Sequence, residues 1–296
     1  MNEELRFLVG TRSGRVFECS ALNSTDRSDF VGLEGDAIGS LWASADGAAI
    51  MAFDANGHGL VWDRARRQIL YGFRSPLPVV QCAGFGPRDY VTLDDSGTGH
   101  IWSHAATALV SNPICDPPGV PLYFRKFGVL DDNRLVLIDG FRWRVWDRAT
   151  QTVTESHTQI GGLEVDNPSG DTGVSANGRF YFIYWDRYQV IDTSDGKIIG
   201  EHSIIIDPFA TALSNDGRFL VVGALGGAVV VVGPDGRLLF DDNPATGVIV
   251  QVSIGAHGRL ATFVDEQGGA GCIDVERGVV LIGRERVKEI LSAKNP

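Results

Sequence analysis

A small-polar turn signature returns along this chain after stretches of apolar alternation. It is clearest as Ser44-Ala45-Asp46-Gly47, Ser175-Ala176-Asn177-Gly178 and Ser214-Asn215-Asp216-Gly217. Gly86-Pro87-Arg88-Asp89, Leu130-Asp131-Asp132-Asn133 and Gly255-Ala256-His257-Gly258 stand at the corresponding places between and after them. Each turn is followed by an apolar strand, a hairpin turn containing Gly or Asp, and a second strand ending in a large apolar residue. Those ends are Phe17, Trp62, Trp102, Trp146, Ile191, Val232 and Ile273, at separations of 40 to 45 residues. The step from Ile273 past the C-terminus and round to Phe17 is 40 residues, so the period closes on itself. A fixed period of this length means one supersecondary unit repeated, each copy burying its apolar surface against its neighbours. The 37 glycines in 296 residues, with no Gly-X-Y order, fit many tight turns between short elements.

The pattern resembles the WD-repeat β-propeller family. Trp62-Asp63 and Trp146-Asp147 match its dipeptide, and Ile191-Asp192 and Ile273-Asp274 are relaxed forms, whereas Trp102-Ser103, Val232-Gly233 and Phe17-Glu18 depart from it. The Gly-His start of the family is missing before most repeats, which leaves its buried His/Ser/Asp hydrogen-bond network incomplete. The resemblance implies an all-β, seven-bladed β-propeller of four-stranded antiparallel blades, with residues 1–296 forming a single domain. It also implies closure of the last blade by both termini: Leu5 to Gly10 and Gly14 to Cys19 supply its second and third strands, and the segment ending at Asn295 its innermost one. A terminal helix over residues 286–292 is the competing reading of that segment.

Charge and composition narrow the function. With 26 basic and 37 acidic residues the chain carries −11, the wrong sign for wrapping a phosphate backbone, so nucleic acid is not expected as the main partner. No apolar run approaches the ~18 to 20 residues of a membrane span, and Met-Asn-Glu-Glu lacks the features of a secretory leader, so a cytoplasmic location is expected. Cys19, Cys82, Cys115 and Cys272 form no C-x-x-C pair and read as buried free thiols.

No motif for catalysis stands out. His100 and His104 are four residues apart, about 13 Å on a strand, too far to share a metal ion. Gly223-Ala224-Leu225-Gly226-Gly227 resembles a phosphate loop but joins two strands, so it reads as a hairpin turn. Asp54, Asp95 and Asp139 are expected to accept backbone N–H bonds in hairpins. Trp185-Asp186 falls off the repeat phase and does not count as the family dipeptide.

The remaining signal lies in the connections between repeats. Residues 110–121, 157–172, 201–208 and 240–247 hold Asp116, Glu164, Asp166, Asp171, Glu201, Asp207, Asp241 and Asp242 and no Lys or Arg. One rim of a propeller face is therefore expected to be acidic, with Arg74, Arg284, Arg286 and Lys288 on the seam side. Arg64, Arg66, Arg67, Arg88 and Arg148 are expected on the opposite face. The family mostly scaffolds complexes, and the resemblance therefore implies a non-catalytic protein–protein interaction platform with no cofactor. Its candidate partner-binding residues are Glu164, Asp166, Asp171, Asp207, Asp241 and Asp242, suited to a basic segment of a protein partner. A propeller enzyme, or a small-ligand or metal-binding protein with its site at the channel mouth, is the alternative, and calcium would be its most suitable ion.

Overall fold

The computed structural model describes residues 6–21, 26–33, 35–44, 46–86, 89–105, 108–116, 118–140, 142–158, 172–184, 188–202, 206, 208–255 and 257–282. Its strands form seven antiparallel meanders in chain order. Sheet 1 is β1 (Arg6–Gly10), β2 (Val16–Ser20) and β3 (Arg27–Phe30). Sheet 2 is β4 (Ile38–Ala43), β5 (Ala49–Asp54), β6 (His58–Asp63) and β7 (Gln68–Arg74). Sheet 3 is β8 (Val79–Gly84), β9 (Tyr90–Asp94), β10 (Gly99–Ala105) and β11 (Ala108–Pro113). Sheet 4 is β12 (Lys126–Val129), β13 (Arg134–Asp139), β14 (Arg142–Asp147) and β15 (Thr152–Thr158). Sheet 5 is β16 (Thr172–Val174), β17 (Phe180–Tyr184), β18 (Tyr188–Asp192) and β19 (Ile198–His202). Sheet 6 is β20 (Pro208–Leu213), β21 (Leu220–Ala224), β22 (Val229–Val232) and β23 (Leu238–Asp242). Sheet 7 is β24 (Ile249–Ile254), β25 (Leu260–Asp265), β26 (Ala270–Asp274) and β27 (Val279–Ile282).

The core is divided among the gaps between sheets. Seven apolar clusters fill seven gaps, one for each pair of successive sheets. Val16, Phe30 and Leu33 of the sheet 1 region pack on Ile50, Ala52 and Trp62 of sheet 2. On its other side, Phe7, Val9 and Phe17 pack on Leu260, Cys272 and Ile282 of sheet 7. Sheet 1 is thus enclosed by sheet 2 and sheet 7, and the ring is closed: a seven-bladed β-propeller. Middle strands face a neighbour on both sides and read as continuous apolar runs such as Val229–Val232, buried throughout. First strands adjoin one another from β4 to β24 and make the inner wall. The inner position beside β1, assigned from the sequence to the C-terminal segment, falls on residues 283–296, outside the described residues, as does the competing helix.

The recurrent turn has one geometry. Ser44 Oγ donates to Asp46 Oδ1 (2.6 Å) and accepts from the Ala49 N–H (2.8 Å). Ser175 repeats this with Asn177 (2.7 Å) and Phe180 (3.0 Å), and Ser214 with Asp216 (2.6 Å) and Phe219 (3.0 Å). The glycine that follows sits at φ of 69°, 68° and 70° in the three copies, where a side chain is strained. At the other end of each repeat, Asp63, Asp147, Asp192 and Asp274 accept backbone N–H bonds of 2.8 to 3.1 Å from the turn that follows. The family dipeptide is therefore a strand end plus a turn cap. Its apolar member is buried in all seven sheets, and beside it the outer strand of five sheets carries a β-bulge. Trp62 Nε1 donates to the Val31 carbonyl (3.0 Å) and Trp146 Nε1 to that of Cys115 (2.9 Å), which ties each sheet to the connection before it. Trp102, at the same position of sheet 3, donates instead to a strand hydroxyl, Thr92 Oγ1 (2.9 Å), so the side-chain network differs from sheet to sheet.

The hairpin carboxylates need correction. Asp54 accepts from the N–H groups of Asn56 (2.8 Å) and His58 (2.9 Å) as expected. In the next sheet that role belongs to Asp94, not Asp95, with bonds from Ser96 and Thr98 (both 3.0 Å). Asp94 closes β9 and turns inward, whereas Asp95 lies in the exposed turn. Asp265 does the same for Gln267 (3.0 Å) and Gly269 (2.7 Å). Asp139 pairs in register with Arg142 and meets Arg144 at 3.4 Å, and the residue two positions on, whose N–H it is expected to accept, lies outside the described residues. Trp185-Asp186 lies outside the described residues.

Burial pushes Asp192 up, but hydrogen bonds from Arg179 and Ser194 outweigh it and hold the carboxyl down at about 2. Because the folded-state value lies below the ordinary one, the bridge stabilises above about pH 4 and the contribution is lost as pH falls towards 2. Asp192→Asn is expected to cost about 1 kcal/mol at neutral pH, discounted for a half-exposed guanidinium. It should also flatten the acid limb of a stability-against-pH curve measured by denaturant unfolding. An unchanged acid limb would assign that limb to other carboxylates.

Candidate functional site

In a ring of antiparallel meanders, alternate turns fall on opposite faces. One face carries the connections between sheets and the hairpins joining second to third strands; the other carries the serine turns and the caps of the family-like dipeptides. These are the connection face and the turn face.

On the turn face the expected arginines hold sheets together. Arg64 binds Glu18 of sheet 1 through Nε (2.6 Å), and Arg148 bridges Asp89 and donates to Ser103 Oγ (3.2 Å) of sheet 3. Arg66 meets Asp63 at 3.2 Å and Arg67 donates to Ser28 Oγ (2.7 Å), while Arg88 lies outside the described residues. A depression of about 460 Å³ on this face is lined by Asp131, Asp132, Asn133, Arg134 and Asp147. Of its charges, Asp131 is engaged with Arg134 at 2.7 Å and Asp147 with the N–H groups of Ala149 (2.8 Å) and Thr150 (3.1 Å).

On the connection face the candidate acidic residues divide. Glu164, Asp166, Asp171 and Asp207 lie outside the described residues. Asp241 and Asp242 are exposed, but they belong to β23, so the connection read from Phe240 begins three residues later, at Asn243; Asp242 accepts the Asn243 N–H (2.7 Å). Glu201 likewise sits in β19, where its Oε1 accepts from Gln189 Nε2 (2.8 Å). The connection read from Val110 starts only after Pro113, and Ile114, Leu122 and Phe124 bury themselves in the cluster between sheets 3 and 4. Its length is thus an apolar anchor as much as a loop. Glu201, Asp241 and Asp242 thus stand on outer strands at the periphery, and Asp116 lies in the connection after β11.

The mouth of the channel carries a different feature. In β4, β8, β20 and β24 the register with the second strand skips one residue at the same place: Gly39, Val80, Phe209 and Val250. A bulge re-aims the side chain it leaves outside the ladder. Val80, Phe209 and Val250 are accordingly 51%, 55% and 50% exposed, at the connection-face end of the inner wall. Tyr123 and Leu225 stand exposed on the same face. The sequence carried a trace of this in the consecutive apolar residues Val79-Val80 and Ile249-Val250, which break the alternation of their strands.

The four cysteines are free and buried, and burial pushes Cys82 and Cys272 up to about 12. His100 lies between Ser111 Oγ (3.0 Å from Nδ1) and the Asp94 carboxylate (3.6 Å from Nε2), a bracing contact across three strands. Among the described residues no three His, Cys, Asp or Glu side chains are placed to hold a metal ion, and no helix is long and apolar enough to cross a membrane.

No protein-family model matches the sequence, and no curated protein matches it. The structure is similar to the β-propeller domain of Myceliophteria thermophila Cps50 (Swd1), with a TM-score of 0.72 at 12% identity, over 90% of this chain and 92% of that one. At that identity the likeness concerns the fold.

Proposed function

We propose that this chain is a non-catalytic interaction platform whose channel mouth, on the connection face, receives a segment of a protein partner. The observation that carries the reading is the set of bulges that expose Val80, Phe209 and Val250 at equivalent positions of three inner strands. Exposing apolar side chains costs solvation free energy, and a rigid scaffold that repeats the device around a concave opening matches the anatomy of a docking site. Apolar side chains of the partner would rest against Phe209 and Val250, whose strands adjoin. The acidic residues of the connections, Glu164, Asp166, Asp171 and Asp207 with Asp241 and Asp242 further out, would steer a basic flank of the same partner and raise its association rate more than its affinity. The resemblance of the repeats to a family of scaffolds, and the fold likeness to a propeller domain, agree with this role.

A photo-crosslinking amino acid at position 209, introduced in the native host, tests it against the same probe at position 237 on the turn face. The expected result is a discrete protein adduct from position 209 that is absent from 237 and is lost when Val250 is changed to Glu. Equal labelling from both faces, or none from position 209, would overturn the channel-mouth reading.

A further inference from the structure

The outer edge of sheet 2 differs in chemistry from the rest of this acidic chain. From Arg64 through Arg74 there are four arginines and no Asp or Glu, in a protein of net charge −11. Arg64 is consumed by Glu18 and Arg66 is offset by Asp63. Arg67, just before β7, and Arg74, at its end, meet no carboxylate among the described residues, and both are exposed. Between them β7 is the outermost strand, its far side unpaired among the described residues, with Ile69 51% and Leu70 46% exposed.

The neighbouring surface extends the apolar strip. Val31 is 62% exposed, and a Cβ on Gly32 would lie 3.1 Å from Ile69 Cδ1 and 2.7 Å from Leu60 Cδ1. Gly72 is exposed and borders Leu60 as well. Two glycines thus leave a shallow apolar trough between the end of sheet 1 and β7, with a positive charge at each end of the strand. The bulge leaves Leu70 alone outside the ladder, between Ile69, which pairs with Trp62, and Tyr71, which pairs with Val61, and Tyr71–Arg74 run on in register with β6 as the straight stretch of edge.

We infer that the β7 edge is a second docking site, which accepts an extended acidic-apolar segment of a protein partner as a fifth strand of sheet 2. An unpaired strand edge supplies main-chain hydrogen bonds to an extended chain, and the trough takes its apolar side chains. The charges select the occupant. A second copy of β7 laid antiparallel would set Arg67 against Arg74 twice, a like-charge pairing, whereas acidic residues at each end of an incoming strand would meet an arginine at each end. The site lies on the rim, apart from the channel mouth, and stands whether or not the mouth binds a partner.

The probe is a nine-residue peptide of alternating valine and threonine with two glutamates at each end, titrated by fluorescence anisotropy at low and high salt. Hydrogen exchange of the full-length protein is read alongside. The expected result is salt-sensitive binding with added amide protection confined to residues 68–74. Binding should weaken at least tenfold for the Arg67→Glu/Arg74→Glu protein. It should vanish when alternate peptide amides are N-methylated, a measurement that needs no altered protein. Absence of binding, binding indifferent to N-methylation, or protection elsewhere would overturn the inference. Preferential binding of an oligothymidylate or of phosphatidylserine vesicles through the same arginines would overturn it too, because it would make this edge a phosphate surface.

Discussion

Trp62→Ala is expected to open the molecule at one particular gap. The indole is fully buried, donates to the Val31 carbonyl and packs edge-on against Phe30 with ring centroids 5.9 Å apart, both partners belonging to the sheet 1 region. Truncation leaves a cavity between sheets 1 and 2 and should cost ~3–5 kcal/mol, a large share of the ~5–15 kcal/mol that such a domain has. Hydrogen exchange should rise first in β1–β3, and denaturant unfolding should shift to a lower midpoint. Trp62→Phe keeps most of the packing and loses the N–H bond, for about 1–2 kcal/mol. If the alanine protein loses under about 1 kcal/mol, the seam is held by something other than this side chain.

A second large effect comes from adding one methyl group. Gly128 of β12 lies against the serine turn of sheet 5, where Val129 N–H also donates to the Ala176 carbonyl (2.9 Å). A Cβ on Gly128 would stand 2.5 Å from Gly178 Cα and 2.6 Å from the Ser175 carbonyl oxygen, all main chain with no side chain free to give way. Gly128→Ala is expected to cost at least about 3 kcal/mol and to lower soluble yield, because overpacking here forces two sheets apart. Gly255→Ala is the control: its nearest neighbour would be the Leu260 carbonyl at 3.6 Å, an ordinary contact, and the melting temperature should stay close to that of the parent. Equal stability of the two proteins would show that the sheets can separate at no cost.

Much of the fold was legible because turn chemistry repeats. Serine, a carboxylate or amide two residues on, and a glycine at positive φ form a local unit, so three copies announced the period before any long-range contact was known. The apolar strand ends from Phe17 to Ile273 were equally legible, since each falls on the same buried position. Register was not. Asp94 and Asp95 are adjacent, and which of them turns inward depends on where β9 ends, a property of its pairing with β10. The exposure of Phe209 and Val250 has the same origin: an inner strand that skips a residue against its neighbour looks, in sequence, like any buried apolar run. Asp241 and Asp242 look like loop residues beside Asn243-Pro244, but strand β23 runs on through Asp242.

The sharing of every cluster between two sheets bears on how such a chain can change over time. Although the repeats descend the same architectural plan, the pivotal buried position holds Phe17, three tryptophans, two isoleucines and Val232, and each is complemented by its own pair of neighbours. Moving sheet 2 into the place of sheet 6 would bring Trp62 into a gap shaped for Val232 and would leave two mismatched interfaces, not one. The seven units are therefore not interchangeable parts, and a productive exchange would have to carry flanking sheets with it.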